Sequence, residues 1–516
     1  MASRILGLVR DQVLAAFFGA GDAMDAYRVG FKIPNLFRDL FAEGAMSAAF
    51  VPTFTRYVAE SGTEAAWRLG NLVINALLVA TGILVIAGIL FAPPLVAALA
   101  GDYAGVTLAD GTSKLDLTVS LARLMLPTLT LIALAAAVMG MLNSLRHFFI
   151  PALSPSMFNV VTIVMAVGLI PFAPALGIDQ PILIVAAATV LGGMAQLALQ
   201  WPTLRREGFR YRPVFDWTDP GLRRVLVLMG PGTLGLAATQ VNVAVNLFLA
   251  TGAGTGAVSW LEYAFRIMYL PIGLFGVSIA TAVLPTVTRH VVERDTGASR
   301  RTIADGLSLM MLLNLPATVG LMLLSVPIVR VIFEHGRFTA ADTAATAAAL
   351  RYYAIGLVAY SIVRIASPAF YALGRNRVPV IVSLFTVVVN ATLNILLVRA
   401  MGYVGLALGT SIAAIFNACA LLVLLRRYLG GLDERRMIAS LARIAAASIA
   451  MGAATLAADA WLAASLPGGD LPRQMLRLAL SIAAALVVLA AAAWALRIRE
   501  FHEAAAAVTR RLRRTP

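Results

Sequence analysis

Five cations stand in stretches of this chain that are otherwise apolar. Arg4, Arg10, Lys32, Arg38 and Arg266 are surrounded by Leu, Val, Ala, Ile and Phe. A charge at bilayer depth is costly unless it faces a cavity or a partner. The chemistry on offer is anion binding. A guanidinium presents planar, paired donors that match phosphate oxygens and stay charged at any relevant pH. The most polar stretch is the second. Asp25, Arg28, Lys32, Asn35 and Asp39 fall three or four apart there, so on a helix they form one stripe, flanked by Arg38 and Glu43. Pro34 removes a backbone hydrogen bond within it and is expected to kink it. Arg4 and Arg10 need a bend near Gly7 to share a face. The competing readings are snorkelling of Arg4 and Arg10 to an aqueous face, and a structural ion pair between Lys32 and Asp39.

Other polar positions carry less. Asn246, Asn390, Asn394 and Thr410 offer neutral oxygens to a sodium ion, but hydrogen bonds between helices are the simpler expectation. His147, His290 and His335 lack metal-ligand spacing. The single cysteine, Cys419, reads as small packing filler. The chain shows no phosphate-binding glycine loop and no nucleophile triad, so no cofactor is expected and the energy source is an ion gradient or the membrane potential.

These side chains must be positioned by membrane-spanning helices. Hydrophobic residues make up 60% of the 516 positions and charged ones 13%, too few charges for a soluble protein of this size. Runs of roughly 20 apolar residues recur from end to end, each long enough to cross a bilayer. About fourteen helices are expected, near 1–19, 23–56, 68–99, 115–143, 151–171, 181–203, 222–250, 256–288, 302–333, 343–373, 378–399, 404–426, 437–463 and 474–497. Every second loop is rich in arginine, as at Arg205, Arg206, Arg210 and Arg212, while the alternate loops carry acids such as Asp102, Asp110 and Asp179. The positive-inside rule then puts both termini in the cytoplasm. The net charge of +15 is thus orientation signal and contact with anionic lipid, and nucleic acid is not an expected partner. The stretch Arg497–Arg514 reads as an amphipathic helix on the cytoplasmic leaflet or as a stop-transfer flank.

The sequence also repeats itself. Pro52-Thr-Phe-Thr-Arg56 returns as Pro285-Thr-Val-Thr-Arg289, Phe31-Lys32-Ile33 as Phe265-Arg266-Ile267, and Arg146…Pro151…Asn159 as Arg375…Pro379…Asn390. The offset of about 230 residues spans an even number of helices, so the halves are parallel repeats. The expected organisation is a lobe over 1–206, a cytoplasmic linker over 207–221, a second lobe over 222–428, two further helices over 437–497 and a basic tail over 498–516. Arg266 occupies the position equivalent to Lys32.

Several blocks together resemble the MurJ (MviN) family of lipid II flippases, within the multidrug/oligosaccharidyl-lipid/polysaccharide (MOP) exporter superfamily. They are Ser3-Arg4-Ile-Leu-Gly7, Arg10-Asp11, Phe18-Gly-Ala-Gly21, Asp25-Ala26, Phe31-Lys-Ile-Pro-Asn-Leu-Phe-Arg38, Phe41-Ala-Glu-Gly-Ala45, Val258-Ser-Trp260 and Phe333-Glu-His-Gly-Arg-Phe338. The resemblance covers essentially the whole chain. It implies an all-α polytopic membrane protein of two six-helix lobes around a cationic cavity, with helices 13 and 14 forming a groove for a polyprenyl tail. By match of motif, Arg4, Arg10, Arg38 and Arg266 look like the cavity arginines and Asp25 like the required acid, with Ser3, Lys32, Asn35 and Glu43 as further contributors. Three departures stand out. Relatives begin upstream of Met1, so the N-terminus reads as trimmed. Asp39 stands where many relatives carry a base. Asn246 and Asn394 stand where sodium-binding relatives carry acidic ligands, which puts sodium coupling in doubt.

The implied activity is transport rather than catalysis. Lipid II would be flipped from the inner to the outer leaflet of the bacterial cytoplasmic membrane by alternating access, beside the machinery of peptidoglycan synthesis. Rival readings are an exporter of another undecaprenyl-linked oligosaccharide and, less well, a membrane glycosyltransferase. The latter calls for a large extramembrane domain or an acidic metal motif, and neither is visible in the sequence.

Overall fold

The computed structural model describes the backbone of residues 2–39, 44–108, 110–468 and 470–512. Among the described residues the fold is helical, and the one β pairing is an isolated bridge between Thr107 and Ser113. Glu43 lies outside the described residues.

The chain divides into two compact units, Met1–Ser259 with His335–Phe338, and Trp260–Glu334 with Thr339–Pro516. The first unit holds α1 (Ala2–Phe18), α2 (Asp22–Arg38), α3 (Gly44–Glu60), α4 (Gly62–Leu90), α5 (Ala92–Ala100), α6 (Lys114–Met125), α7 (Thr128–Ser144), α8 (Phe149–Leu169), α9 (Ile182–Arg206) and α10 (Pro220–Thr251). It also takes the first turn of α11 (Ala257–Pro271). The second unit continues with α12 (Val277–Val292), α13 (Thr296–Leu323), α14 (Ser325–Phe333), α15 (Ala340–Ile355), α16 (Leu357–Ala372), α17 (Arg377–Met401) and α18 (Tyr403–Leu429). It ends with α19 (Glu434–Ser465), α20 (Leu471–Ala495) and α21 (Arg499–Leu512).

Among the described residues ten helical stretches, counting α6 with α7 and α11 with α12 as one each, are long and apolar enough to cross a membrane, or eleven if the bent pair α15–α16 is one span. The expected spans outside that set are α1, α2 with α3, and α10. The first two are the polar ones: α1 has 17 residues and α2 carries acids in its first turn and Arg38 in its last. Pro34 lies inside α2, which remains one helix to Arg38, and α1 runs unbroken through Gly7. Between α11 and α12 the chain makes a π-helical turn, Ile272–Gly276, directly after Pro271.

The packing boundary differs from the repeat boundary. The sequence places α10 in the second half, whereas its packing joins it to the first unit. The segment expected as a linker explains this. Asn71 and Asn75, one helical turn apart on α4, hydrogen-bond its backbone: Asn71 takes Arg212 N (2.8 Å) and donates to Arg210 O (3.1 Å), and Asn75 donates to the carbonyls of Arg212 and Val214 (3.0 and 2.8 Å). Phe209 is fully buried against Trp67 and Trp201. The chain from α9 to α10 is therefore laid down along α4, and α10 starts from a fixed point. Asp219 caps it by accepting from Gly221 N and Leu222 N, and Pro220 at the first position removes one amide that would otherwise lack a partner.

The segment His335–Phe338 packs with the first unit through backbone contacts. Arg337 N donates to Ala16 O (2.8 Å), and both Gly19 and Gly336 have positive φ (62° and 61°). A Cβ at Gly336 would run into the Ala16 carbonyl, and one at Gly19 into the Arg337 carbonyl, so both positions require glycine twice over.

In the second unit, α19 and α20 pair closely and α13 packs on α19. The tail forms a helix, α21, and its start is docked. Arg497 has φ 50°, Ile498 is buried with Ile444 and Ala493, and Glu500 accepts from Ser440 Oγ (3.0 Å). Cys419, expected as packing filler, is instead exposed, because it faces outward from α18.

Candidate functional site

Two of the arginines singled out in the first unit, Arg10 and Arg38, are each paired with the next residue. On α1, Arg10 donates through Nε (3.0 Å) and Nη2 (2.7 Å) to one oxygen of its sequence neighbour Asp11. The pair is nearly enclosed, with side-chain exposures of 12% and 4%. The Arg10 guanidinium stands 5.7 Å from the ring centre of Phe158, within cation–π range. Phe158, Phe31 and Tyr27 stack in series at 5.9 and 5.8 Å, and Tyr27 OH meets Thr189 Oγ1 at 3.2 Å. Arg28, buried on α2, lies near enough to Arg10 for their charges to interact. An aromatic stack therefore lines the Arg10–Asp11 pair, with the buried Arg28 close enough for its charge to act on Arg10.

The second pair sits at the end of α2. Arg38 contacts Asp39 with the same geometry as Arg10 with Asp11: Nε at 2.9 Å and Nη2 at 2.7 Å, both on Oδ1. The other carboxylate oxygen accepts from Gln240 on α10 at 3.3 Å. Asp39 thus pairs with Arg38 and Gln240, not in the ion pair with Lys32 that the sequence offered. Lys32 and Asn35 are half-buried, Arg4 is exposed and Ser3 is half-buried. Asn159 on α8 donates to the Ser3 carbonyl (3.1 Å), tying the start of α1 to the bundle.

Asp25 does something different. It is completely buried, and none of the hydrogen bonds seen at its carboxylate comes from an arginine. One oxygen accepts from Ser259 N (3.0 Å) and Ser259 Oγ (2.6 Å), the other from Gly256 N (2.7 Å) and Lys114 Nζ (3.4 Å). The carboxylate caps the N-terminus of α11 from outside, where amides lack helical partners and the dipole favours negative charge. Lys114 is 1% exposed, binds Asp22 at 2.8 Å and lies 3.9 Å from the Tyr103 ring centre. Thr255 Oγ1 also donates to Asp22 (2.9 Å). Sequence reasoning missed Lys114 because it opens an apolar run after a polar loop and reads there as a flank.

In the second unit Arg266 is half-buried on α11. The neighbouring Phe265 stacks on Tyr269 (5.7 Å) and meets Tyr353 edge-on (5.4 Å). Arg364 on α16, also missed, hydrogen-bonds Tyr269 OH. The weak sodium candidates hydrogen-bond one another: Asn394 Nδ2 donates to Asn390 Oδ1 (3.2 Å), Asn390 Nδ2 to Thr410 Oγ1 (3.4 Å), and Thr410 to Leu406 O (2.7 Å). Asn246 lies on α10 in the first unit. Among the described residues no cluster of three His, Cys, Asp or Glu could hold a metal.

Comparison with known proteins gives one answer. The sequence model described as "Lipid II flippase MurJ" matches residues 14–476. A protein of Vibrio cholerae named "Probable lipid II flippase MurJ" is 34% identical over 423 residues, covering 82% of this chain and 80% of the relative. A Rhizobium meliloti protein of the same name is 33% identical over 498 residues, 96% and 91% of the two chains. Among solved structures, "Lipid II flippase MurJ, inward closed conformation" superposes with a TM-score of 0.76 at 27% identity, covering 96% of this chain and 97% of that one. An inward-facing MATE transporter of the MOP superfamily shares the fold, with a TM-score of 0.69 at 17% identity over 84% of this chain and 96% of that one.

Proposed function

The chain belongs to the lipid II flippase MurJ family, and from that premise we propose that it moves lipid II across the membrane by alternating access. The observation that carries the reading is the pair of guanidinium groups, Arg10 and Arg38, held in an otherwise apolar bundle with their paired donor edges already formed. In this reading Arg4, Arg10, Arg38 and Arg266 take the pyrophosphate, with Ser3, Lys32, Asn35 and Glu43 as polar contributors. The aromatic wall beside Arg10 excludes water and strengthens the contact. The polyprenyl tail stays in lipid beside α19 and α20.

Asp25 is assigned a gating role. Its carboxylate and Lys114 hold the first turn of α11, and moving that turn exchanges buried, charge-assisted hydrogen bonds for water. A transport cycle can make and break such a fastening without chemistry, so no catalytic step is assigned. The arginine-rich loops support a cytoplasmic position for both termini, and coupling is assigned to the membrane potential or an ion gradient, with no resident metal. The peptidoglycan synthesis machinery is the natural source and consumer of the substrate.

The test is depletion of the protein in its native cells followed by a leaflet-accessibility assay for lipid II. The expected result is retention of lipid II on the cytoplasmic side, corrected by wild type but not by Arg10→Ala or Arg266→Ala. Normal externalisation of lipid II with loss of another surface glycan would redirect the reading to a different undecaprenyl-linked substrate.

A further inference from the structure

Arg10–Asp11 and Arg38–Asp39 are two copies of one device, and the device is unusual. Adjacent residues on a helix point about 100° apart and do not face each other. For an arginine to place both Nε and Nη2 on the carboxylate of the next residue, its side chain must fold back around the helix. Both arginines do so, at 3.0 and 2.7 Å in one pair and 2.9 and 2.7 Å in the other. The edge they use is the one that grips a phosphate in bidentate fashion. Arg38, about a quarter exposed, can swing outward by side-chain rotation alone, with no movement of its helix. The carboxylate cannot follow. Asp39 is held on its second oxygen by Gln240 of another helix, and Asp11 is nearly enclosed, with a side-chain exposure of 4%.

We propose that Asp11 and Asp39 are resting counter-ions that set the specificity of the arginine site. The inference rests on the reading of Arg10 and Arg38 as pyrophosphate ligands. Arginines open to a membrane face abundant phospholipids, whose headgroups carry a single negative charge on a phosphodiester. A fixed carboxylate already satisfies the donor edge, and a monoanion gains little by displacing it. A pyrophosphate brings more charge and more acceptor oxygens, and it can engage two arginines at once, so it wins the exchange. Discrimination comes from a built-in competitor as well as from contacts to the right ligand. Asp11 and Asp39 are positioning residues, acting on the ligand through the arginines they hold.

The test uses the purified full-length protein and three probes: undecaprenyl pyrophosphate, undecaprenyl phosphate and phosphatidylglycerol. Competition binding gives the ratio of affinities for each variant. Asp39→Asn keeps the shape and removes the charge, with its amide oxygen toward Arg38 and its NH2 meeting the Gln240 amide turned to accept. It should tighten phosphatidylglycerol and undecaprenyl phosphate and cut the preference for pyrophosphate about tenfold, with Asp39→Glu restoring it. Asp11→Asn should act in the same direction, and the half-exposed Asp39 keeps the test decisive if the buried variant folds poorly. A wild type that prefers pyrophosphate, with an Asp39→Asn variant of unchanged ratio, would overturn this inference and leave the flippase reading standing. Equal weakening of all three probes would also overturn it, since that marks a structural role. A wild type with no preference for pyrophosphate would overturn both.

Discussion

The two ends of α2 each carry an ion pair and use it in opposite ways. At its start, Asp22 and Asp25 are locked with Lys114, Ser259 and Gly256 in a cluster where each carboxylate has partners from other elements. At its end, Arg38 grips its own sequence neighbour and stays about a quarter exposed, at 26%. A buried, fully partnered charge is expensive to disturb and so works as a fastening. A partly exposed pair between adjacent residues costs little to open and so works as a binding edge. Burial and the origin of the partner, more than residue type, separate the two roles.

The sharpest way to break this contrast is at Asp25. Asp25→Ala leaves the buried Lys114 with Asp22 alone and strips the α11 N-terminus of its cap; breaking a buried pair in this manner costs about 3–5 kcal/mol. Thermal unfolding in detergent should show the loss directly, and transport should fail with it. Arg38→Ala should invert that pattern. The expected fall in affinity for undecaprenyl pyrophosphate is about 10–100-fold, while the unfolding transition moves by less than about 1 kcal/mol, as for exposed ion pairs. If Arg38→Ala destabilises as much as Asp25→Ala, the distinction between fastening and binding edge fails.

Gln240→Ala is a gentler probe. It releases Asp39 from α10 without touching the arginine, and should lower discrimination against phosphatidylglycerol by about two- to threefold, well short of removing the charge. The smallest effect belongs to Asp216, a carboxylate wholly outside both groups. Hydrogen bonds from Thr218, side chain and then backbone, with Arg68 nearby, hold its pKa below the usual aspartate value. A depressed folded pKa means the contribution is present above the ordinary range near pH 4 and is lost as the pH falls through the lower folded value. Amide protection in residues 210–218, taken relative to the intrinsic exchange rate at each pH, should therefore fall slightly on acidification, with no change in substrate preference.

Charge was the most legible feature of the sequence. The cations of α1 and α2 stand out because apolar helices give them no other reason to exist, and the repeat drew attention to Arg266. The partners were not legible, because they come from elsewhere in the chain: Lys114 is 89 residues from Asp25, and Gln240 is 201 from Asp39. The spacing of α2 predicts a polar stripe but not that its first half is sealed inside the bundle while the second stays open. Asn71 and Asn75 hid in an apolar helix whose mean composition reads as an ordinary span, yet they fix the path of the chain into α10. For that reason the division by packing falls at Ser259, while the repeat read from the sequence divides the chain before α10.

The backbone contact between Ala16 and Arg337 has a consequence for how the protein is made. The first of these residues leaves the ribosome long before the second, by roughly half a minute at about 5–20 residues per second. Through that interval α1 waits in the membrane without the segment that completes its unit, and no side chain can substitute, because the join is glycine against carbonyl. The first unit is thus finished only after the opening stretch of the second, Trp260–Glu334, has been synthesised, and a chain truncated before His335 cannot close it.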